Sequence, residues 1–362
     1  MKIAQIAPLV ESCPPRLYGG TERIVYYLTE ELVKLGHEVT LFASGDSRTS
    51  AELVKCSEMA LRFNPEVQDP LPYYISMLNE VRRRASEFDV LHFHIDFLHY
   101  LIAPAFADRM VTTLHGRLDL PDLKPFYSAL PHYSLVSISE EQRRPMPPVL
   151  WAGTVYHGLP QDLLPYTAHA TGDYLAFLGR ISPEKRPDLA IEIAAQAGMK
   201  LKIAAKVDKA DQRYWNEKIG PLIDRHPNVE FVGEINEHQK ADFLGQARAL
   251  LFPIDWPEPF GLVMIEAMAC GTPVIGFRMG SVPEVIDDGV SGFIVEDLPE
   301  AVVAAREARQ LSRSAVRAAF DARFTAERMA LDYLTIYESL TECKRLEGKR
   351  LTMEAKGVYS LS

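Results

Sequence analysis

The fold is decided by residues 250–277, which read LLFPIDWPEPFGLVMIEAMACGTPVIGF. The apolar run Leu250–Pro253 predicts a buried strand, Phe260–Cys270 predicts a helix, and Pro273–Phe277 predicts the next strand. Two strands joined through a helix are expected to pair in parallel, because the crossover returns the chain to the edge where it began. This unit therefore predicts an α/β fold built on parallel sheets.

The same alternation recurs through the rest of the chain. In the first half a helix is predicted at Gly20–Leu35, and strands are predicted at Lys2–Leu9, Glu38–Ala43, Asp89–Phe93, Val111–Leu114 and Tyr133–Ile138. In the second half a helix is predicted at Pro187–Ala197, and strands are predicted at Tyr174–Leu178, Leu201–Ala205 and Val229–Val232. The pattern predicts two doubly wound, Rossmann-like parallel sheets that face a central cleft.

Prolines and glycines cluster in residues 143–172 and interrupt the alternation, which indicates a seam between two domains. The alternative is one long surface loop within a single domain. We expect an N-terminal domain at 1–160, a linker at 161–172, a C-terminal domain at 173–325, a helix at 326–348 that packs back on the N-terminal domain, and a frayed tail at 349–362.

Composition excludes several classes of function. The 362 residues include 39 Lys and Arg against 49 Asp and Glu, a formal net charge of −10, which argues against a nucleic-acid-binding protein. No apolar run is long enough to span a bilayer, and the N-terminus does not resemble a signal peptide. The four cysteines are scattered and form no C-x-x-C pair, so we expect reduced thiols and a cytoplasmic location.

Two predicted strand-to-helix loops carry residues suited to binding an anion. Gly19 and Gly20 precede a helix, where a close backbone approach and free N–H groups favour an anionic ligand; a plain turn is the alternative. Arg180 and Lys185 follow a strand and could grip a diphosphate. The alternative for this pair is two solvated cations, with Lys185 bound to Glu184 or Asp188.

Two carboxylates, Glu258 and Glu266, lie eight positions apart within residues 250–277. We expect Glu266 in the second turn of its helix, among small and apolar neighbours. A carboxylate is costly there unless it is hydrogen-bonded, and paired sugar hydroxyls are suitable partners. The alternative is that Glu258 caps the helix and Glu266 faces solvent.

This stretch resembles the E-x7-E signature of the retaining glycosyltransferases of family 4, which have the GT-B architecture. The resemblance covers nearly the whole chain. It also includes Gly36-His37-Glu38-Val39-Thr40, the loop from Gly179 to Lys185, Gly271-Thr272-Pro273, and Val282-Pro283-Glu284. The chain departs from the family pattern at His157-Gly158, which follows an expected strand at Thr154–Tyr156, and at Asp255-Trp256.

The resemblance implies a role for individual residues. The implied catalytic residues are Arg180 and Lys185 on the donor diphosphate, Glu258 on the transferred sugar and His115 near the anomeric centre. The implied substrate-binding residues are Glu266 on the ribose, Gly19 and Gly20 on the donor, Phe260, Gly261 and Leu262 through backbone N–H groups, Ile235 beside the base, and Asp96 on the acceptor side.

The implied function is transfer of a hexose, with UDP-glucose the expected donor, to a hydroxyl acceptor with retention of configuration. The acceptor, whether a small molecule, a lipid-linked sugar or a glycan, stays open. Alternatives are a non-catalytic or regulatory nucleotide-sugar-binding protein and a GT-B phosphorylase or epimerase; a dehydrogenase lacks its G-x-G-x-x-G fingerprint here. We expect no cofactor and no metal, although His92, His94 and Asp96 lie close together in sequence. Arg82-Arg83-Arg84 could contact an anionic membrane, but a solvated helix face is favoured.

Overall fold

The computed structural model describes residues 1–16 and 19–355, with side chains as far as residue 342. The strands are β1 (Lys2–Ile6), β2 (Glu38–Ser44), β3 (Glu52–Ser57), β4 (Val90–Phe93), β5 (Met110–Thr113), β6 (Leu135–Ser137), β7 (Trp151–Thr154), β8 (Tyr174–Arg180), β9 (Lys200–Lys206), β10 (Val229–Gly233), β11 (Ala249–Phe252), β12 (Val274–Phe277) and β13 (Gly292–Val295).

The helices are α1 (Gly20–Lys34), α2 (Leu71–Arg84), α3 (Leu123–Ala129), α4 (Glu140–Arg143), α5 (Pro187–Ala197), α6 (Gln212–Tyr214), α7 (Gly220–Arg225), α8 (Glu237–Gly245), α9 (Leu262–Ala269), α10 (Val282–Val285), α11 (Leu298–Glu307), α12 (Arg313–Arg323) and α13 (Ala326–Ala355). A π-helical segment, Trp215–Ile219, joins α6 to α7. No helix in the described part of the chain combines the length and the apolar composition that a membrane span requires.

The chain divides into two compact units, each built on one parallel sheet. The first unit contains Met1–Ile138, Pro145–Val155 and the chain from Ala326 onward, and the second contains Ser139–Arg144 and Tyr156–Thr325. The first sheet has the strand order β3-β2-β1-β4-β5-β6-β7, and the second has the order β10-β9-β8-β11-β12-β13. These two sheets confirm the predicted pair of doubly wound domains.

The chain reverses its direction of travel across each sheet at one place, between β1 and β4 in the first unit and between β8 and β11 in the second. In doubly wound folds ligands bind beyond the carboxyl ends of the strands at such a switch point. Gly19, Gly20, His94 and Asp96 follow β1 and β4 in the chain, Arg180 ends β8, and Lys185 and Glu258 follow β8 and β11. The predicted site residues thus follow the strands that flank the two switch points.

Helix α1 shows how local sequence builds the first unit. Ile24, Val25, Leu28 and Leu32 recur at helical spacing and are fully buried, so one stripe of the helix packs into the core. Gly36 ends this helical region with φ of 87°, a left-handed conformation that a residue with a Cβ adopts at a cost. The next strand follows within two residues.

The predicted domain boundaries require correction. The second unit begins at Tyr156 and also includes Ser139–Arg144, and the predicted linker 161–172 lies inside that unit. Arg317 donates hydrogen bonds to the carbonyl oxygens of Gln161, Leu164 and Ala269, and Arg313 donates to those of Thr167, Gly245, Ala247 and Cys270. Guanidinium groups from α12 therefore attach this proline- and glycine-rich segment to the unit, which composition alone could not indicate.

The C-terminal predictions are confirmed in part. Helix α13 belongs to the first unit, as expected for a segment that packs back on the N-terminal domain. The predicted frayed tail 349–362 is helical as far as Ala355, and its remaining residues lie outside the described part. In the arginine triplet at the end of α2, Arg82 and Arg83 are exposed, as a solvated helix face requires, and Arg83 pairs with Glu80. Arg84 is partly buried: it pairs with Glu87 and Glu52, and its guanidinium lies over the rings of Phe42 and Phe88.

Candidate active site

In the first unit, two histidines meet beyond the carboxyl ends of neighbouring strands. His94 follows β4 and His115 follows β5, and Nδ1 of His94 lies 2.9 Å from Nε2 of His115. The rings of His92 and His94 are 4.0 Å apart, so the two alternating histidines lie on one face of the sheet as predicted. Asp96 is exposed and adopts a left-handed backbone with φ of 53°. The structure therefore brings His115, His94 and Asp96 to one edge.

Burial determines the charge of His115. It lowers the pKa of this imidazole to about 3, so the ring is neutral at physiological pH. A neutral imidazole has one donor and one acceptor nitrogen, and it cannot supply a positive charge to a leaving group. His115 can thus orient a hydroxyl group through hydrogen bonds but carries no charge.

The glycine pair begins α1. Gly19 is the N-cap residue, and Gly20 is the first helical residue. A Cβ at Gly19 would lie 2.7 Å from Cβ of Pro15, so the preceding loop leaves no space for a side chain. Thr21 lies inside the first turn of α1 and is not its N-cap residue.

In the second unit, Arg180 ends β8, and Lys185 lies in the following 3-10 turn. Arg180 lies 3.1 Å from Glu184 and 4.0 Å from Asp208, whereas Lys185 pairs with Glu258. The alternative that paired Lys185 with Glu184 or Asp188 is therefore wrong. Lys185 and Glu258 lie 73 residues apart in sequence, and the fold brings them together as an ion pair.

Two hydrogen-bond donors in this loop are buried. Nε of Arg180 and Oγ of Ser182 have no hydrogen-bond partner among the described residues. Buried polar groups are nearly always satisfied, so such donors mark a place where a ligand or water is expected to accept. Sequence reasoning missed Lys206, which ends β9 directly opposite Arg180 in the parallel register. Its signal was a basic residue at the end of an apolar strand, the same signal that selected Arg180.

A close approach of two backbone segments positions Glu258. Gly280 has φ of 52°, and a Cβ there would lie 2.4 Å from the backbone N of Glu258. The next residue, Ser281, donates its N–H to the carbonyl of Glu258 at 3.0 Å and its hydroxyl to that of Phe260 at 2.7 Å. The glutamate loop is thus held by the turn that precedes α10.

The departure at Asp255-Trp256 contacts two cations that follow β8, Lys185 and Arg186. The ammonium of Lys185 lies 5.1 Å from the ring centroid of Trp256, within cation–π range, and Asp255 pairs with Arg186 at 3.3 Å. Both contacts join the loop after β11 to the loop after β8. The other departure, His157, is buried edge-to-face against Phe260, with ring centroids 4.9 Å apart.

Glu266 is the fifth residue of α9 and is only 4% exposed, which confirms its predicted position in the second turn. Its expected hydrogen-bond partner is supplied within the protein, because Nζ of Lys240 lies 2.6 Å from its Oε1. The alternative that Glu266 faces solvent is wrong. Sequence reasoning missed Lys240, which lies on α8, and no local pattern connects it with Glu266.

The helix after Glu258 begins later than predicted. It starts at Leu262 instead of Phe260, with Gly261 as the N-cap residue at φ of 80°. A Cβ at Gly261 would lie 2.9 Å from Met264 and 3.0 Å from Phe252, so both conformation and space favour glycine. Of the predicted backbone donors, Phe260 and Gly261 therefore precede the helix, and Leu262 is its first residue.

Ile235 follows β10 and is partly buried. Among the residues that the structure describes, no three His, Cys, Asp or Glu side chains are grouped so that they could hold a metal ion.

Comparison with known proteins identifies the chain. The family model "Glycosyltransferase Family 4" matches residues 18–147, and the model "Glycosyl transferases group 1" matches residues 166–320. Together the two models span most of the chain. The D-inositol 3-phosphate glycosyltransferases of Frankia alni and Mycolicibacterium smegmatis are each 33% identical to it over 34% of its length. The matches cover 33% and 29% of those two proteins, about a third of their length.

Solved structures are similar over almost the whole chain. Sucrose-phosphate synthase from Thermosynechococcus elongatus has a TM-score of 0.77 at 19% identity and covers 94% of this chain and 99% of its own. Anabaena HepE, solved with UDP and glucose, has a TM-score of 0.70 at 19% identity and covers 94% of this chain and 100% of its own. At these identities the similarity establishes the fold.

The two parallel sheets and these neighbours define a protein of the GT-B fold. Within that class, the two family models place the chain in family 4 of the glycosyltransferases, to which it belongs. Family membership supports transfer of a glycosyl group as the activity.

Proposed function

We propose that this protein transfers a hexose from a nucleoside diphosphate sugar, with UDP-glucose as the first candidate, to a hydroxyl acceptor with retention of configuration. The observation that carries the proposal is the arrangement beyond β8 and β11. There Lys185 pairs with Glu258, and Arg180 carries a buried Nε without a partner among the described residues. Cations beside a carboxylate suit a ligand that has both phosphates and sugar hydroxyls.

The cations that we propose bind the donor are paired with carboxylates in the structure, so the diphosphate has to displace those carboxylates. Arg180 is paired with Glu184 and Asp208, and a diphosphate would take over its guanidinium by forming two parallel hydrogen bonds. Glu266 would accept hydrogen bonds from the ribose while Lys240 balances its charge. Anabaena HepE, a structural neighbour, was solved with UDP-glucose, which supports that donor as the first candidate.

The reaction is balanced without a cofactor. The bond from the anomeric carbon to the diphosphate oxygen breaks, and its electron pair leaves with the diphosphate. The acceptor oxygen forms the new bond on the same face, and its proton passes to the leaving phosphate. Arg180 and Lys185 would stabilise the negative charge as it develops, which is the main requirement of this step. Glu258 and neutral His115 would orient the sugar.

We also propose a chemical class for the acceptor. The curated relatives are named D-inositol 3-phosphate glycosyltransferases, so a phosphorylated polyol is the first acceptor class to test. Sucrose-phosphate synthase, a structural neighbour, adds sugar phosphates to that list. Non-phosphorylated glycans and lipid-linked sugars complete the comparison.

A donor-hydrolysis screen tests the donor assignment without knowledge of the acceptor. Purified protein is incubated with UDP-, GDP- and ADP-linked hexoses, with and without EDTA, and released nucleotide is measured. We expect release from one UDP-hexose, unaffected by EDTA, and loss of release in Arg180→Ala. Arg213→Ala is the matched control, because Arg213 is an exposed arginine of the same unit that pairs with Glu217. Wild-type turnover in Arg180→Ala would refute the clamp, and binding without turnover in the wild type would favour a regulatory protein.

A further inference from the structure

A chain of buried polar side chains runs from His115 to the C-terminal helix α13. Nε2 of His115 lies 2.9 Å from Nδ1 of His94, and Nε2 of His94 lies 2.8 Å from Oε1 of Gln5. The amide nitrogen of Gln5 then donates to the hydroxyl of Tyr337 at 3.1 Å. Gln5, His94 and Tyr337 are at most 3% exposed, so water does not compete for these bonds.

The amide group of Gln5 sets the direction of every proton in this chain. An amide oxygen can only accept, so Nε2 of His94 must carry a hydrogen. In a neutral ring Nδ1 of His94 is then the acceptor, and Nε2 of His115 must donate to it. The geometry therefore assigns the Nε2–H tautomer to His115 and leaves the lone pair of its ring on Nδ1.

The far end of the chain holds Gln5 in place. The hydroxyl of Tyr337 also lies 2.7 Å from Nδ1 of His92, so it can accept from Gln5 and donate to His92. Nε2 of His92 lies 2.7 Å from Oγ1 of Thr113, which is 2.8 Å from the hydroxyl of Tyr333. Tyr337 is thus hydrogen-bonded to Gln5 directly, whereas these hydrogen bonds connect Tyr333 to Gln5 through Thr113, His92 and Tyr337 in turn.

Burying such a network is costly, because each polar group loses its hydrogen bonds to water. The cost is compensated only when every group is hydrogen-bonded within the protein. Apolar side chains would fill the space between β1, β4 and β5 without that cost. Here the network joins three neighbouring strands and one distant helix, and it ends at the histidine implied to lie near the anomeric centre. A role in orienting that histidine accounts for its position and its polarity.

We propose that His94 and Gln5, held by Tyr337 of α13, are positioning residues that fix the ring orientation and the tautomer of His115 for glycosyl transfer. The proposal rests on the proposed function for its catalytic consequence. Its structural part, the tautomer, can be measured whether or not transfer is observed. Helix α13 thereby contributes to the orientation of His115, although the two lie far apart in sequence.

The test uses the full chain labelled with ¹⁵N-histidine, with the His115 signals assigned from the spectrum of His115→Asn. We expect wild-type His115 to show a protonated Nε2 and an unprotonated Nδ1. In Gln5→Leu the acceptor for His94 is lost, so we expect a mixture of the two His115 tautomers. We also expect kcat to fall about tenfold, while the KM for the donor changes less than twofold, because the proposed donor residues lie in the second unit.

Two variants in α13 provide a matched comparison, which stays informative even when Gln5→Leu does not fold. Tyr337→Phe and Tyr333→Phe each remove one hydroxyl from a fully buried ring of α13. We expect Tyr337→Phe to lower kcat about fivefold and to disturb the His115 tautomer, and Tyr333→Phe to stay within twofold of wild type. Equal effects of the two variants, or an unchanged tautomer in both Gln5→Leu and Tyr337→Phe, would overturn the proposal. Absence of any transfer by the wild type would instead count against the proposed function.

Discussion

The ion pair between Lys240 and Glu266 allows a quantitative prediction of how much the lysine stabilises the buried carboxylate of the second unit. The two groups are 2.6 Å apart, with side chains 14% and 6% exposed. Lys240→Met leaves the carboxylate buried without its cation, which costs about 3 kcal/mol in the free energy of unfolding. The double variant Lys240→Met/Glu266→Leu replaces both charges by apolar groups and is expected to cost about 1 kcal/mol or less.

The measurement is a double-mutant cycle by urea denaturation. Of the three tryptophans, Trp215 and Trp256 lie in the second unit, so a Trp151→Phe background makes fluorescence report that unit alone. We expect a coupling energy of at least about 2 kcal/mol between positions 240 and 266, because the double variant recovers about 2 kcal/mol of the loss in Lys240→Met even if Glu266→Leu alone costs nothing. The same variants are titrated with UDP, and both single variants are expected to lose affinity.

Glu237 provides the control for this cycle, because its carboxylate lies 3.9 Å from the same ammonium, too far for the hydrogen bond that Glu266 makes at 2.6 Å. The coupling of Lys240→Met with Glu237→Gln should therefore stay below about 0.5 kcal/mol. Additive effects at positions 240 and 266 would refute the reasoning, since they would mean that the lysine does not compensate the buried charge.

Three further predictions concern the remaining contacts. Trp256→Leu removes a cation–π contact of about 1 kcal/mol with Lys185 and should raise the KM for the donor about fivefold, while Trp256→Phe stays within twofold. Because burial lowers the pKa of His115 to about 3, its ring stays neutral from pH 8 to pH 5, so wild type and His115→Asn should have pH–rate profiles of the same shape there. A limb near pH 6.5 in the wild type alone would contradict this. Gly280→Ala, whose Cβ would lie 2.4 Å from backbone nitrogen, should cost about 2 kcal/mol more in unfolding free energy than Gly289→Ala, which has a positive φ but open space. Equal losses in the two glycine variants would argue against the close approach.

Central strands were predictable because they are buried on both faces and appear as continuous apolar runs. The prediction Glu38–Ala43 differs from β2 by one residue, and Pro187–Ala197 matches α5. The errors lie at the sheet edges. The strands β3 and β13 were missed, and β7 was expected three residues later, at Thr154–Tyr156. These edge strands are partly exposed, so their sequences carry less apolar signal.

In the candidate site too, residues with a local sequence signal could be predicted, and contacts that depend on long-range packing could not. Glu258 and Glu266 could be selected because their neighbours define a loop and a buried helix. Lys240 could not be selected, because its relation to Glu266 depends on how separate elements pack. Lys206 carried a local signal, a basic residue at the end of an apolar strand, but its place opposite Arg180 depends on how the two strands align. The linker was misplaced for the same reason, since the arginines that attach it lie about 150 residues further along the chain.

We propose above that this chain breaks the bond between a hexose and a nucleoside diphosphate with retention of configuration. The most direct measurement is ¹H NMR of UDP-glucose, an α-linked donor, during incubation with the wild-type protein and with Arg180→Ala. We predict that the donor anomeric signal decays and that the first product carries the α configuration, while Arg180→Ala leaves the donor intact. A first product of β configuration, or equal decay with both proteins, would contradict the account.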